Sequence, residues 1–588
     1  MRLRSISPSN FGGTYTFAGG IGPALNANDQ LIPGAAPVDI GSLERYRRTL
    51  AFQRMGLSAA QIRALGGGAT QFSIAGGNPE ADVDQSDVSF YLQDDWKLRQ
   101  HLTLSPGLRY ENQNNIDSNS NFAPRLGFAW SPMFGGKKKQ AAPVETKNNA
   151  TATPANTPKT TDVKSTTAAG PVTAPKPAPP KQPTTVIRGG IGVFYNRFSE
   201  DLILSAARFN GTNQKQYVVT DPAVLDLFPA IPAIAALDAF AQPQTRRRLG
   251  LDVQPSRSLR GTIGIEHQVS KNFRFEIGYS YGRTLHALRS VNINAPLPGT
   301  FNPLVPNSGV RPLGQSAGNI WQYQSDGRSR YDNAYFNTSG SFHKIGFWAT
   351  YVWSKTWSTD NGTSGSPFDP YDFSHEWSRA NYDTRHRFYS SANYQTKSGW
   401  SVNTFIVGNT GAPFNITTGH DTNGDTSFTE RPGFATDLNK PGVIVTPLGA
   451  FDPNPLPGQR IIPRNFGKGP AFFSASLAVS KVIKFGRAIP AKVQAAAANG
   501  NVVTATPPAT TNQKPPPKPP IQRPYQFSFS IYANNVLNHV NKGTPVGNMA
   551  SPYFLKSTGT SGMFFFGPGG AGGPGGNRQI SLRVRLSF

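Results

Sequence analysis

The chain has 588 residues, a formal net charge of +25, 37% hydrophobic residues, a mean hydropathy of −0.40 and no cysteine. A helical membrane protein is excluded, because no run of about 18 uncharged apolar residues is present. The missing cysteines exclude thiolate metal sites, thiol catalysis and disulfide frameworks. Much of the positive charge lies in two segments rich in Pro, Ala, Thr and Lys. In 137–183, eight lysines face only Glu145 and Asp162, and 487–524 holds Arg487, Lys492, Lys514, Lys518 and Arg523 with no acid. Neither adjoins a binding motif, so no nucleic-acid partner is expected.

Residues 1–85 read as an irregular region. Met1 to Pro8 has two arginines but lacks the apolar stretch of a signal peptide, as a fragment or a misplaced start would. An arginine-rich helix is expected over Leu43 to Leu65. A first strand has two candidate positions, Gly12–Gly19 and Thr70–Ala75. Pro222 to Ala241 is broken by Asp226, Pro229, Pro232 and Asp238 and reads as a loop with a short helix.

From residue 86 a period of two dominates, the signature of strands with one apolar face. Strands are expected over 86–97, 100–112, 122–132, 184–196, 259–269, 272–283, 331–343, 346–358, 385–396, 399–410, 470–485, 525–538 and 578–588. Phe273, Phe275, Ile277, Tyr279 and Tyr281 alternate with Arg274, Glu276, Gly278 and Ser280, and Tyr525, Phe527, Phe529 and Ile531 with Gln526, Ser528 and Ser530. Phe347, Ala349, Tyr351 and Trp353 make another apolar row. The last strand places Ile580, Leu582, Val584, Leu586 and Phe588 on one face, and Ser581, Arg583, Arg585 and Ser587 on the other. Large apolar residues are scarce on the second face, which suits a wet lumen better than a two-sheet core. The first face is rich in aromatic rings, as at membrane interfaces.

The connections alternate. Short turns fall around Leu98–Gln100, Ser270–Asn272, Lys344–Ile345 and Lys397–Gly399, while the intervening connections are long and rich in Gly, Asn and Asp. Outer-membrane barrels pair short periplasmic turns with long extracellular loops in this way. The fold class is therefore an all-β, antiparallel transmembrane outer-membrane β-barrel, with thirteen to fourteen recognisable strands. It spans 86–588 and is interrupted at 137–183 and 487–524, two Pro/Lys-rich inserts expected to be extended and disordered. Outer-membrane lipid is the first partner implied.

Several stretches in order carry a resemblance. They are Phe90-Tyr-Leu-Gln-Asp-Asp-Trp-Lys, Leu102-Thr-Leu-Ser-Pro-Gly-Leu-Arg-Tyr-Glu, Phe122-Ala-Pro-Arg-Leu-Gly-Phe-Ala-Trp-Ser-Pro and Val186-Ile-Arg-Gly-Gly-Ile-Gly-Val-Phe-Tyr-Asn. Tyr382-Asp-Thr-Arg-His-Arg-Phe, Asn534-Asn-Val-Leu-Asn-His-Val-Asn and the terminal strand follow. Together they resemble the carboxy-terminal barrel of TonB-dependent receptors, in particular the Oar-like branch, whose members often carry a carboxypeptidase-regulatory-like domain. The resemblance implies a plugged barrel of about 22 strands, a C-terminal strand read by the barrel-assembly machinery, and import driven by the TonB system. No plug, coupling segment or signal peptide is recognisable here, so the TonB system is a partner only if a plug lies upstream. A plug-free passive pore of about fourteen strands and a surface adhesion or binding protein are the alternatives.

One local motif points to a cation. In Gly419-His-Asp-Thr-Asn-Gly-Asp-Thr-Ser-Phe-Thr-Glu430, oxygen side chains alternate at Asp421, Asn423 and Asp425, the donor type a hard ion such as calcium takes. It is not an EF-hand loop: Thr426 replaces the glycine, and Pro432 stands where the bidentate glutamate belongs. An Asn/Gly turn explains the same residues without a metal. No other cofactor is implied. The glycine runs at Gly189 and Gly567 lack phosphate-loop endings, His375-Glu376 lacks a second histidine, and no serine sits in a nucleophile elbow. Asp383, Arg385 and His386 are expected to play a polar role at a strand end, and no enzyme activity is expected. Tryptophans 348, 353, 357 and 377, with tyrosines 351, 371 and 382, cluster around one strand and loop. They suit an aromatic girdle or a stacking surface.

Overall fold

The computed structural model describes residues 2–132, 184–239, 243–303, 305, 308–359, 362–363, 365–487, 489–490, 521–523, 525–562 and 576–588. Thirteen strands follow one another in a single sheet, each hydrogen-bonded to its neighbours in sequence order. They are β1 (Asp87–Gln93), β2 (Leu102–Gln113), β3 (Asn121–Trp130), β4 (Thr185–Tyr195), β5 (Arg257–Ser270), β6 (Phe273–Asn292) and β7 (Ile320–Phe342). The path continues through β8 (Ile345–Ser358), β9 (His386–Gln395), β10 (Trp400–Asn409), β11 (Phe472–Phe485), β12 (Tyr525–Asn534) and β13 (Gln579–Ser587). Every pairing along it is antiparallel. Each of the thirteen expected segments contains or overlaps one of these strands.

The register explains the alternation. One row runs across ten strands through Leu102, Trp130, Ile187, Ile265, Ile277, Phe336, Tyr351, Phe388, Gly408 and Phe473. Gly408 is its one residue without a side chain, and Ile277, at 54%, is among the most exposed. A ten-strand apolar row open to the surroundings is the lipid-facing band of a barrel. Above it the same face turns polar, with Tyr281, Asp332 and Lys355 paired side by side.

The opposite face is polar. Glu266 lies beside Glu276, and Arg188 and Arg274 approach Glu266 at 3.7 and 3.4 Å. Tyr335 and Asn337 donate to the two oxygens of Glu276 at 3.0 and 3.1 Å. The Tyr335 ring covers Gly278 of the adjacent strand so closely that any Cβ there would collide with it, which is why that position is glycine.

Strands β6 and β7 run further than their alternation indicates, to Asn292 and from Ile320. Their ladder shifts register between Leu285 and Ala287 and again between Ala287 and Arg289, with His286 at φ 59. Each bulge moves later side chains to the other face, so the period of two is lost while pairing continues. The two candidate first strands belong elsewhere. Thr14–Thr16, Gln71–Gly77 and Gln214–Val219 form a separate three-stranded sheet and add nothing to the large one. The arginine-rich segment folds as α1 (Ser42–Arg54) and α2 (Ala59–Ala64), and Pro222 to Ala241 contains two short helices, Pro222–Leu225 and Ile234–Ala239.

Turns of two residues join β5 to β6 and β7 to β8, whereas 196–256, 293–319, 359–385, 410–471 and 535–578 connect strands at the other end. The insert 137–183 lies outside the described residues. Within 487–524, Ile489–Pro490 pairs with Ile521–Gln522, and 491–520 is outside the described residues. Buried apolar residues gather in the loops. Phe72, Tyr217 and Leu237 anchor one cluster with the amino-terminal region, and Phe414, Ile416, Phe451, Ile462 and Met549 form another. The loops thus carry hydrophobic clusters of their own at one end of the sheet.

Candidate functional site

The connection 410–471 carries the acidic motif. Its turn is built by Asp421, whose Oδ1 accepts from Gly424 N at 2.7 Å and whose Oδ2 accepts from Thr426 N at 2.9 Å. Gly424 and Thr426 both have positive φ, at 73° and 67°. For a β-branched residue that conformation is an outlier. The Asp421 bond, and Asn319 Nδ2 donating to Thr426 Oγ1 at 3.2 Å, hold it there.

Three carboxylates converge on this turn. One oxygen each from Asp421, Asp425 and Glu430 lie within 4.8 Å of one another. Asp425 Oδ1 accepts from Ser427 N at 2.7 Å, and Glu430 Oε1 from Thr422 N at 2.9 Å. The second oxygens, Asp425 Oδ2 and Glu430 Oε2, are buried without a hydrogen-bond partner, in residues only 1% and 4% exposed. Among the described residues, none of the three carboxylates forms an ion pair. Burial raises the Asp421 carboxyl above its usual range. Burial first, then the Asp421 charge, push Asp425 up to about 7. Glu430 is raised well above the ordinary value by burial, then by Asp425 and Asp421.

Of the residues expected here, the fold brings Asp421 and Asp425 together. Asn423 serves the turn: its Oδ1 accepts from Asp425 N at 2.9 Å, and its Nδ2 donates to Phe368 O at 3.2 Å. The third carboxylate is Glu430, which closes the sequence motif but sits outside the alternating positions that drew attention to it. The site is a junction. Asn292 donates to Asp425 O, Arg311 to Gly424 O, Gln71 to Thr426 O and Thr429 to Pro367 O, so three long connections and the amino-terminal region meet there.

Residues 45–515 match the outer membrane beta barrel domain family. The chain belongs to that family. As an outer membrane β-barrel domain it resides in the bacterial outer membrane, with the apolar row against lipid and the acidic turn among the loops. Similar solved structures include the outer membrane transporter YddB from Escherichia coli (12% identity, 89% of this chain and 47% of that one, TM-score 0.45). The siderophore receptor PirA from Acinetobacter baumannii (9%, 88% and 51%, TM-score 0.40) and the FrpB iron transporter from Neisseria meningitidis (9%, 88% and 45%, TM-score 0.36) are others. The barrel domain spans about half the length of these proteins. No curated protein matches it.

The remaining sequence candidates fall into structural places in the barrel domain. The aromatic residues do not form one surface. Tyr351 and Trp353 stand on the lipid-facing side, Trp348 faces inward, and Trp357 packs 6.1 Å from Trp377 at the loop end. Buried Asp383 accepts from Thr356 N, Arg379 and Arg385 at 2.9 to 3.0 Å, a strut at the rim. His386 contacts the Tyr351 hydroxyl at 2.7 Å. Glu376 is buried against Arg431 and Arg464.

Proposed function

We propose that this sheet is the carboxy-terminal barrel portion of a TonB-dependent receptor of the Oar-like branch, in which the loop assembly captures a ligand outside and the polar wall passes it inward. The observation that carries this reading is the pair of open edges. Among the described residues β1 pairs only with β2 along its length, and β13 only with β12. A sheet with a ten-strand lipid-facing row cannot leave backbone N–H and C=O groups unpaired in hydrocarbon, and single-chain bacterial barrels close with an even strand number. Further strands joining these two edges complete a larger barrel, wide enough to need a plug. The loops support the receptor reading over a plain pore, because they pack on hydrophobic clusters of their own and are tied together by buried polar contacts.

The test uses the natural product purified from outer membranes. A receptor is expected to be closed in planar bilayers and to be captured by the isolated periplasmic domain of TonB. Steady ion conductance without TonB capture would replace this reading with the passive pore. Closed behaviour without TonB capture or ligand uptake would favour a surface-binding protein.

A further inference from the structure

The acidic junction in 410–471 has properties that a turn alone does not explain. Three carboxylates share one small space, and two of their oxygens are buried with no donor. A buried acceptor without a partner is costly, and three like charges at this range repel one another strongly in a low-dielectric interior. The Arg311 guanidinium relieves them only in part. Arg311 directs its Nη atoms to Asn294 O, Asn319 Oδ1 and Gly424 O. With all three ionised, as carboxylates that ligate a cation are, three carboxylates beside this one cation leave two negative charges. The arrangement is completed by something small, doubly positive and oxygen-seeking.

We propose that Asp421, Asp425 and Glu430 bind one calcium ion, which fastens the loops of this barrel into a single assembly. Oxygens no more than 4.8 Å apart leave a point within about 2.8 Å of all three, close to the 2.3–2.6 Å of calcium–oxygen bonds before any adjustment. The donors are hard carboxylates with no imidazole among them, which disfavours zinc and copper. Calcium takes six to eight oxygens in variable geometry and suits an irregular loop, whereas magnesium demands a near-ideal octahedron. A cavity of about 240 Å³, lined by Phe301, Phe368, Tyr371, Thr422, Asn423 and Glu430, opens beside the cluster and gives the ion a way in. Because Asn292, Arg311, Gln71 and Thr429 tie the same turn to its neighbours, occupancy of this site stiffens loops distant in sequence. The proposal is independent of what crosses the barrel.

The test is calorimetric titration of the full-length natural protein, stripped with chelator in detergent, with calcium chloride alone and magnesium chloride alone. One calcium per chain is expected, with magnesium and the double variant Asp425→Asn/Glu430→Gln each weaker by about tenfold or more. These substitutions keep side-chain volume and remove buried like charges, and heat-modifiable migration reports whether the barrel has formed. If the variant does not fold, trypsin cleavage of wild type within 293–319 and 410–471 decides: slower cleavage in calcium than in chelator, by about fivefold or more, supports the site. Absence of calcium binding by wild type, equal magnesium binding, calcium binding unchanged in the folded double variant, or equal cleavage rates would overturn the assignment.

Discussion

Arg431 donates to Glu376 across 2.9 Å with both side chains buried, and Arg464 approaches the same carboxylate at 3.5 Å. Glu376 belongs to the connection 359–385 and both arginines to 410–471, so one carboxylate joins two loops. Arg464 Nη2 also donates to Ser358 Oγ at 2.9 Å, at the end of β8, and the Arg431 guanidinium lies 4.9 Å above the Phe368 ring. This network fastens the loop unit to the sheet beneath it.

Removing one member of a buried pair leaves an uncompensated charge, at a cost of about 3–5 kcal/mol. Arg431→Ala is expected to lose the lower part of that range, since Arg464 still faces Glu376. The loops have their own core, so the loss should stay local. Amide exchange in 359–385 and 410–471 is expected to accelerate, with β6 to β10 unchanged. Equal acceleration across the strands would show that loops and sheet open together.

The two faces of the sheet predict opposite tolerance for charge. Ile277→Lys places an ammonium in the apolar row and is expected to cost about 2–4 kcal/mol, less if the row lies near an interface. Asn337→Lys, on the inner face beside Glu276, is expected to cost under about 1 kcal/mol. Urea unfolding in phospholipid vesicles measures both. A larger loss for Asn337→Lys would reverse the assignment of faces.

Acid should loosen the amino-terminal helix before the sheet. Arg47 donates to Glu44 at 2.7 Å and to Asp29 at 2.9 Å, and these bonds hold both carboxyls below their ordinary values. A carboxyl lowered by folding adds stability that is present above its unfolded value of about 4. That stability is lost as pH falls through the folded value. The contribution is small, because Arg47 is 47% exposed. Lower amide protection in 26–54, taken relative to the intrinsic exchange rate at each pH, is the expected result below about pH 4, and protection that does not change from neutral pH down to pH 3 would show that the cluster adds nothing.

The barrel was legible because each spanning strand must alternate between lipid and a wet lumen, and Ile277 beside Glu276 shows that constraint residue by residue. Legibility stopped where the constraint did. Beyond Leu285 the bulges in the β6–β7 ladder release the alternation, so the extension to Asn292 left no period to read. The strands at Thr14 and Gln71 are visible locally and pair with each other, but Gln71–Gly77 also pairs with Gln214–Val219, across 137 residues or more, which no local pattern encodes. At the acidic turn, Asp421 and Asp425 were legible from spacing. Glu430 was not, because the chain reverses between them and its approach is set by the fold. Asn423 looked equivalent to the aspartates, yet its amide is drawn to Asp425 N and Phe368 O.

The placement of the chain across the outer membrane, loops outside and short turns inside, is tested most directly by single-cysteine labelling, since these 588 residues contain no cysteine. Leu438→Cys lies in the connection 410–471 at a position 62% exposed, and Lys271→Cys in the exposed turn between β5 and β6. On intact cells a membrane-impermeant maleimide is expected to label Leu438→Cys, and to reach Lys271→Cys only after the outer membrane is permeabilised. Labelling of Lys271→Cys on intact cells with Leu438→Cys protected would contradict the orientation, and equal labelling of both would contradict the spanning barrel itself.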